Sequence, residues 1–215
     1  MSGTRYQTPY FVKTGALPGP TIVVMGGLHG DEIAGYLAAR QLKDWTVNSG
    51  TLVLVPDANV PAMKANRRFV GRNMNALFPG KADGDGNQRL AYELWQLIKK
   101  SNPDLLLTLH ESRGFYAEDR ARYGQTFTFD FPDYRDRFAR VADATNIGIV
   151  HKRERFQLKM EAFPTCPTYC ATRWLGIAAT SIETARPLPL QTRVDYQLKA
   201  LRAFFAEWKM DATPK

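Results

Sequence analysis

Several residue types are scarce in this chain, and each scarcity removes a class of protein. Two cysteines occur in 215 residues. Cys166 and Cys170 flank Pro167 closely, which argues against a disulfide framework and leaves two buried thiols in a reducing compartment as the expectation. No stretch approaches the ~20 apolar residues that cross a bilayer, and Met1 to Gln7 lacks the apolar core of a signal peptide. A cytoplasmic protein without membrane contact is expected. Low-complexity tracts, internal repeats and linkers are missing too, which points to one folded globule. With 44% hydrophobic and 12% aromatic residues, 215 residues supply one sizeable core and not two, so the expected domain spans 1–215.

Charge is not scarce. The net charge of +8 admits a nucleic-acid binder, but the cations are scattered in small clusters at Arg67-Arg68, Arg120/Arg122 and Lys152-Arg153-Arg155, and no nucleic-acid motif accompanies them. The excess is better used to draw a small anionic substrate to a cleft.

The hydrophobic pattern reads as α/β. Tyr10-Phe11-Val12 is a possible edge strand. Thr21 to Met25 is a β-branched apolar strand, Ile33 to about Asp44 a helix, Asn48-Ser49-Gly50 a turn, and Thr51 to Val55 a second strand apolar enough to be covered on both faces. This order opens a βαβ-type fold. Asn59 to Gly80 is a long polar loop of the kind that usually has a function. Asp83-Gly84-Asp85-Gly86 lacks the closing glutamate of a calcium loop and reads as a turn before a helix from Asn87 to Lys100. A buried strand follows at Asp104 to Ser112, a further one at Gln125 to Phe131, a helix at Asp133 to Thr145 and a short strand at Ile147 to Val150. Lys152 to Ala162 is ambiguous, Pro167 to Leu175 is a short helix capped by Gly176, Ile177 to Glu183 is a strand, and Gln191 to Met210 is a closing amphipathic helix. The expected fold is a mixed sheet flanked by helices.

Polar groups collect at three strand ends. Gly26-Gly27-Leu28-His29-Gly30-Asp31-Glu32 is a strand-to-helix turn at the carboxyl edge of the sheet, where open α/β folds bind ligands. His29 and Glu32, three residues apart, can project the same way as the helix begins. An imidazole and a carboxylate meeting at one point make half of a catalytic zinc site. His110 closes another strand and Glu183 a third. Each has a bland reading alone: a hydrogen-bonded strand-end histidine, a first-turn helix acid, a carboxylate paired with Arg186. Together they form one catalytic set.

Gly27-Leu28-His29-Gly30-Asp31-Glu32 resembles the H-G-x-E signature of the zinc carboxypeptidase superfamily, in its succinylglutamate desuccinylase/aspartoacylase branch. The resemblance runs from about Thr21 to Phe205. It implies that His29, Glu32 and His110 bind one Zn²⁺ and that Glu183, in Ile182-Glu183-Thr184, is the general base. The stretch Arg68 to Gly80 is similar to the family's R-x-x-x-x-D-x-N-R-x-F-P-G. That places Arg68 at the carbonyl-polarising arginine and Asn75 at the asparagine that holds the substrate carboxylate. The implied reaction is hydrolysis of an amide next to a carboxylate, by a metallocarboxypeptidase or an N-acyl-amino-acid deacylase, through Glu-assisted attack of zinc-bound water.

Two positions depart from the pattern. The family's aspartate is Asn73, and the arginine that clamps a terminal carboxylate is Ala76. Arg72 or Arg113 is the candidate to supply the missing charge. Tyr169 and Tyr116 are the candidates for the tyrosine that covers the substrate in carboxypeptidases. The alternatives are a zinc- or ligand-binding member of the fold without catalysis, against which the retained Glu183 argues, and a basic nucleic-acid binder.

Overall fold

A strand that is apolar at every position must be covered on both faces, and helices cover both faces of this sheet. The structure, a computed structural model, describes residues 1, 3–161 and 163–215. In chain order the elements are β1 (Phe11–Thr14), β2 (Leu17–Met25), α1 (Ile33–Gln41), β3 (Thr46–Val47), β4 (Ser49–Val55), α2 (Val60–Lys64), α3 (Gly86–Ser101), β5 (Leu105–Ser112), β6 (Thr126–Phe129), α4 (Arg135–Asn146), β7 (Gln157–Met160), α5 (Pro167–Cys170), β8 (Ala178–Ala185), α6 (Leu190–Glu207) and β9 (Ala212–Thr213). Among the described residues seven strands form one sheet in the order β1-β4-β2-β5-β8-β6-β7, and β3 pairs with β9 apart from it. The pairs β4–β2, β2–β5, β5–β8 and β6–β7 are parallel, while β1–β4 and β8–β6 are antiparallel. The expected mixed α/β sheet is what forms.

Period-two alternation sorts the core. Ile22, Val24, Leu52, Leu54, Leu107 and Leu109 face α1, α4 and α6, against Ala38, Phe138, Leu201 and Phe204. Val23, Met25, Val53, Val55 and Leu106 face the other way, onto Leu90, Leu94, Trp95 and Ile98 of α3 and onto Met74 and Phe78. Helix α3 starts where the turn reading put it, at a capping box in which Asp85 accepts from Gln88 N and the Gln88 side chain accepts from Asp85 N.

The chain order fixes where a ligand can sit. From β2 the chain passes to β4 on one side and, by way of α3, to β5 on the other. The crevice between the carboxyl ends of β2 and β5 is therefore a topological switch point, the usual ligand position in such sheets.

Two local expectations are corrected, and the ambiguous segment resolves into a strand. Ile147 to Val150 is not a strand: Gly148 is left-handed at φ 76° and Ile147 and Val150 stand exposed, so the apolar run has no sheet to join. The strand at that edge is β7, inside the ambiguous segment, whose last residue, Ala162, lies outside the described residues. Ser49 and Gly50 already belong to β4 and are not a turn. No helix among the described residues is long and apolar enough to cross a membrane.

Candidate active site

The turn after β2 is shaped by close backbone approach. A Cβ on Gly30 would stand 2.1 Å from the Ala62 carbonyl carbon of α2, so only glycine fits there. Backbone bonds from Ala58 N to Gly26 O and from Asn59 N to Gly27 O, each 2.9 Å, tie the turn to the segment after β4. The Gly30 N–H also reaches Arg68 O at 3.4 Å, which brings the long loop, and Arg68 with it, over the turn. Helix α1 approaches just as closely. A Cβ on Gly35 would meet Leu109 O at 2.8 Å, and this approach sets Glu32, at the N-cap of α1, beside His110 of β5.

Three side chains converge there. His29 Nδ1 lies 2.9 Å from Glu32 Oε1, and His110 Nδ1 lies 2.7 Å from Glu32 Oε2. All three residues are buried, and their ligand atoms fall within 4.8 Å of one another. A carboxylate oxygen and an imidazole lone pair so close require a proton or a cation between them. Two imidazoles and a carboxylate are a zinc donor set, and their atoms need to part only slightly to reach the roughly 3.4 Å spacing of a tetrahedral zinc. The orphaned atoms agree with this. His110 engages the cluster through Nδ1, and its Nε2 is buried without a partner among the described residues. The residues present fit a zinc ion.

The Glu32 carboxylate does not cap its own helix. That role goes to Glu111, whose Oε2 accepts from Ala34 N at 3.1 Å while Oε1 pairs with Arg193. Burial opposes the charge on Glu32, but His29 and His110 outweigh it and hold its carboxyl well below the ordinary range. Arg68 adds a guanidinium bond to Oε1 at 2.7 Å.

Glu183 stands directly across from His110 in the β5–β8 ladder, so both side chains project to the same side. Burial pushes its carboxyl up to about 7, with Glu32 and Glu111 adding to the rise and His110 and Arg68 opposing it. Its backbone is held by Gln125 N–H at 2.7 Å. Gln197 of α6 braces the same two strands from below, donating to His110 O at 2.9 Å and Ile182 O at 3.3 Å.

Two hollows meet at these residues. A cavity of about 330 Å³ is lined by His29, Asn73, Asn75, Ala76, His110 and Cys166, among others. A second of about 310 Å³ is lined by Asp31, Glu111, Arg113, Arg122 and Arg186. Arg68, Tyr123 and Glu183 line both. Of the residues singled out from sequence, His29, Glu32, Arg68, Asn75, Arg113, His110 and Glu183 thus gather at one cleft. Arg72 lines neither hollow and pairs with Asp85 at 3.4 Å. Tyr116 and Tyr169 do not line the cleft either; Tyr123 does, its hydroxyl donating to Glu161 at 3.0 Å. Nothing local in the sequence marks Tyr123. A larger hollow of about 790 Å³ lies at the amino ends of the central strands, around Pro18, Asn102 and Gly176, and contains no histidine.

A parallel-centred sheet with two imidazoles and a carboxylate at its switch point defines a zinc-carboxypeptidase-like α/β fold. Residues 18–124 match the model of the succinylglutamate desuccinylase/aspartoacylase catalytic domain, and over that stretch the chain is similar to that family. In sequence it is similar to an N-alpha-acetyl-L-2,4-diaminobutyric acid deacetylase of Halomonas elongata, 35% identical over 98 residues, which cover 43% of this chain and 28% of the relative. In structure it resembles the product-bound Cell Shape Determinant protein Csd4 of Helicobacter pylori, with a TM-score of 0.89 and 24% identity over 97% of this chain and 57% of that one. It also resembles a succinylglutamate desuccinylase/aspartoacylase of Rhodobacter sphaeroides, with a TM-score of 0.70 and 22% identity over 94% of this chain and 59% of the other. The chain therefore spans little more than half the length of these structures and less of the deacetylase.

Proposed function

We propose that residues 1–215 are a single catalytic domain that hydrolyses an amide bond next to a carboxylate, as a metallocarboxypeptidase or an N-acyl-amino-acid deacylase. The observation that carries this reading is the convergence of His29, Glu32 and His110 with Glu183 in register across from His110. His29, Glu32 and His110 would hold one Zn²⁺. Bound there, zinc supplies a water acidified toward neutrality and a Lewis acid beside the scissile carbonyl.

The chain's own groups do the rest. Glu183, poised near neutrality and without a hydrogen bond to its carboxylate among the described residues, takes a proton from the attacking water and returns it to the departing nitrogen. Arg68 lies between the two hollows, where its guanidinium stabilises the oxyanion more than the ground-state carbonyl. Asn75 holds the leaving half of a small anionic substrate, and Arg113 supplies charge from the adjoining hollow.

The related proteins support this class without choosing a substrate. One is described as a deacetylase, and one structure of Csd4 as that of a D,L-carboxypeptidase bound to mDAP. A screen of N-acyl amino acids and C-terminally varied peptides, with and without chelator, tests the reading. Chelator-sensitive release of an amino acid is the expected result. Turnover unaffected by complete metal removal, or none on any member of either panel, would sink it.

A further inference from the structure

We propose that Asn73 is a positioning residue that couples the metal end of the cleft to its substrate end. The inference rests on the reading above, in which His29 is a metal ligand and Asn75 a substrate contact. It starts from one oxygen atom. Asn73 Oδ1 lies 3.1 Å from His29 Nε2 and 3.2 Å from the Asn75 backbone nitrogen. The second bond makes Asn73 the N-cap of the short 3-10 turn Met74–Ala76, which carries Asn75.

That geometry leaves little freedom. The Asn75 N–H can only donate, so the atom facing it must be the amide oxygen and not the NH₂ group. The same oxygen then faces His29 as an acceptor, which requires the proton on Nε2. Nδ1 is thereby left as a lone pair aimed at the Glu32 oxygen and the metal position. The other imidazole has no such guide: His110 Nε2 is buried and unpartnered among the described residues. Asn73 thus sets the tautomer of one histidine and the position of the substrate-side turn through the two lone pairs of a single carbonyl.

The far end of the turn is anchored independently, since Thr165 Oγ1 donates to Ala76 O at 3.1 Å and Phe78 N donates to Thr165 O at 2.9 Å. Its near end depends on Asn73. Drawing His29 toward a metal pulls on the oxygen that also receives the Asn75 N–H. By linkage, fixing Asn75 favours the metal-binding arrangement of His29 to the same degree. A neutral amide makes a weaker bond to an imidazole N–H than a carboxylate would. The Asn73 side chain therefore transmits between the two ends at some cost in metal affinity.

The test uses the full chain stripped of metal. Zn²⁺ affinity is measured by competition with a chromogenic chelator, and the Asn75 backbone amide is followed by NMR and hydrogen exchange as zinc is added. In the wild type, zinc should shift the Asn75 resonance and slow its exchange. Asn73→Ala should weaken zinc about 10- to 100-fold and abolish the response at Asn75, with the unfolding midpoint reporting that the fold persists. Asn73→Asp keeps the acceptor; it should restore the response and bind zinc at least as tightly as the wild type. Equal zinc affinity in the wild type and Asn73→Ala, or an Asn75 amide blind to zinc in the wild type, would overturn the coupling while leaving the metal site intact. A wild type that binds no zinc would overturn the metal reading itself, and the coupling with it.

Discussion

Replacing Glu183 by Gln should do two opposite things, and the structure gives the size of one of them. In the folded chain the Glu183 carboxyl is pushed from 4.5 up to about 7, first by burial and then by Glu32 and Glu111. The folded state therefore holds a proton that the unfolded chain has released once the pH exceeds about 4.5. Stability carried by this group is complete below the unfolded value and is lost as pH rises toward 7. Glutamine has the same shape and never ionises. Glu183→Gln should match the wild type near pH 4.5 and gain steadily, to about 3 kcal/mol above pH 7 in metal-free protein. Urea unfolding of both chelator-treated proteins at several pH values between 4.5 and 8 measures the difference directly. The same variant should lose turnover while keeping zinc, because the proton acceptor is gone and the ligands remain. A stability difference that stays constant across the range would refute the argument that burial of this carboxyl sets its proton affinity. Full activity in Glu183→Gln would remove it as the base.

Other perturbations follow from the same geometry. His110→Ala removes one of three converging ligand atoms, and equilibrium dialysis against zinc should show the loss of stoichiometric binding. Arg68→Met keeps the stem of the side chain and removes the proposed oxyanion donor; kcat should fall about 10²- to 10³-fold with zinc content unchanged, as steady-state assays and metal analysis would report. Phe204 is fully buried and packs on Phe127, Phe138 and Trp208, so Phe204→Ala should cost about 3–5 kcal/mol in denaturant unfolding.

Legibility in the sequence followed the distance over which each feature is encoded. The His29–Glu32 pair sits within one turn, between an apolar strand and a helix, and could be read directly. His110 and Glu183 were readable as strand ends, and the parallel pairing of β5 with β8 then makes them neighbours in register. Strand β7 was not readable, because its alternation, Gln157-Leu158-Lys159-Met160, lasts only four residues at a sheet edge where Met160 stands exposed. Ile147 to Val150 misled for the converse reason, having strand composition without a partner. Tyr123 and Gln197 reach the site by folding alone. Gln197 lies 87 residues from the His110 carbonyl it holds, and no local pattern distinguishes it from any other buried position on α6. Asn73 stood out as a departure from the family stretch, but its contact with His29, 44 residues away, emerges only when the long loop is laid over the turn.

The two glutamates at the centre show why the fold can assign different work to one residue type. Glu32 is enclosed by His29, His110 and Arg68, three groups that favour its charge, and its proton affinity falls despite complete burial. Glu183, one strand further along, is half-buried, accepts no hydrogen bond at its carboxylate among the described residues, and feels the charges of Glu32 and Glu111. The charge of Glu32 raises the proton affinity of Glu183, so ionisation of the enclosed carboxyl helps keep the half-buried one protonatable near neutrality. Cation binding among His29, Glu32 and His110 would relieve part of that repulsion and lower the proton affinity of Glu183. The separation of a carboxyl with lowered proton affinity from one with raised proton affinity therefore comes from where β2, β5 and β8 end, and it needs no residue type that is not already near those three strand ends.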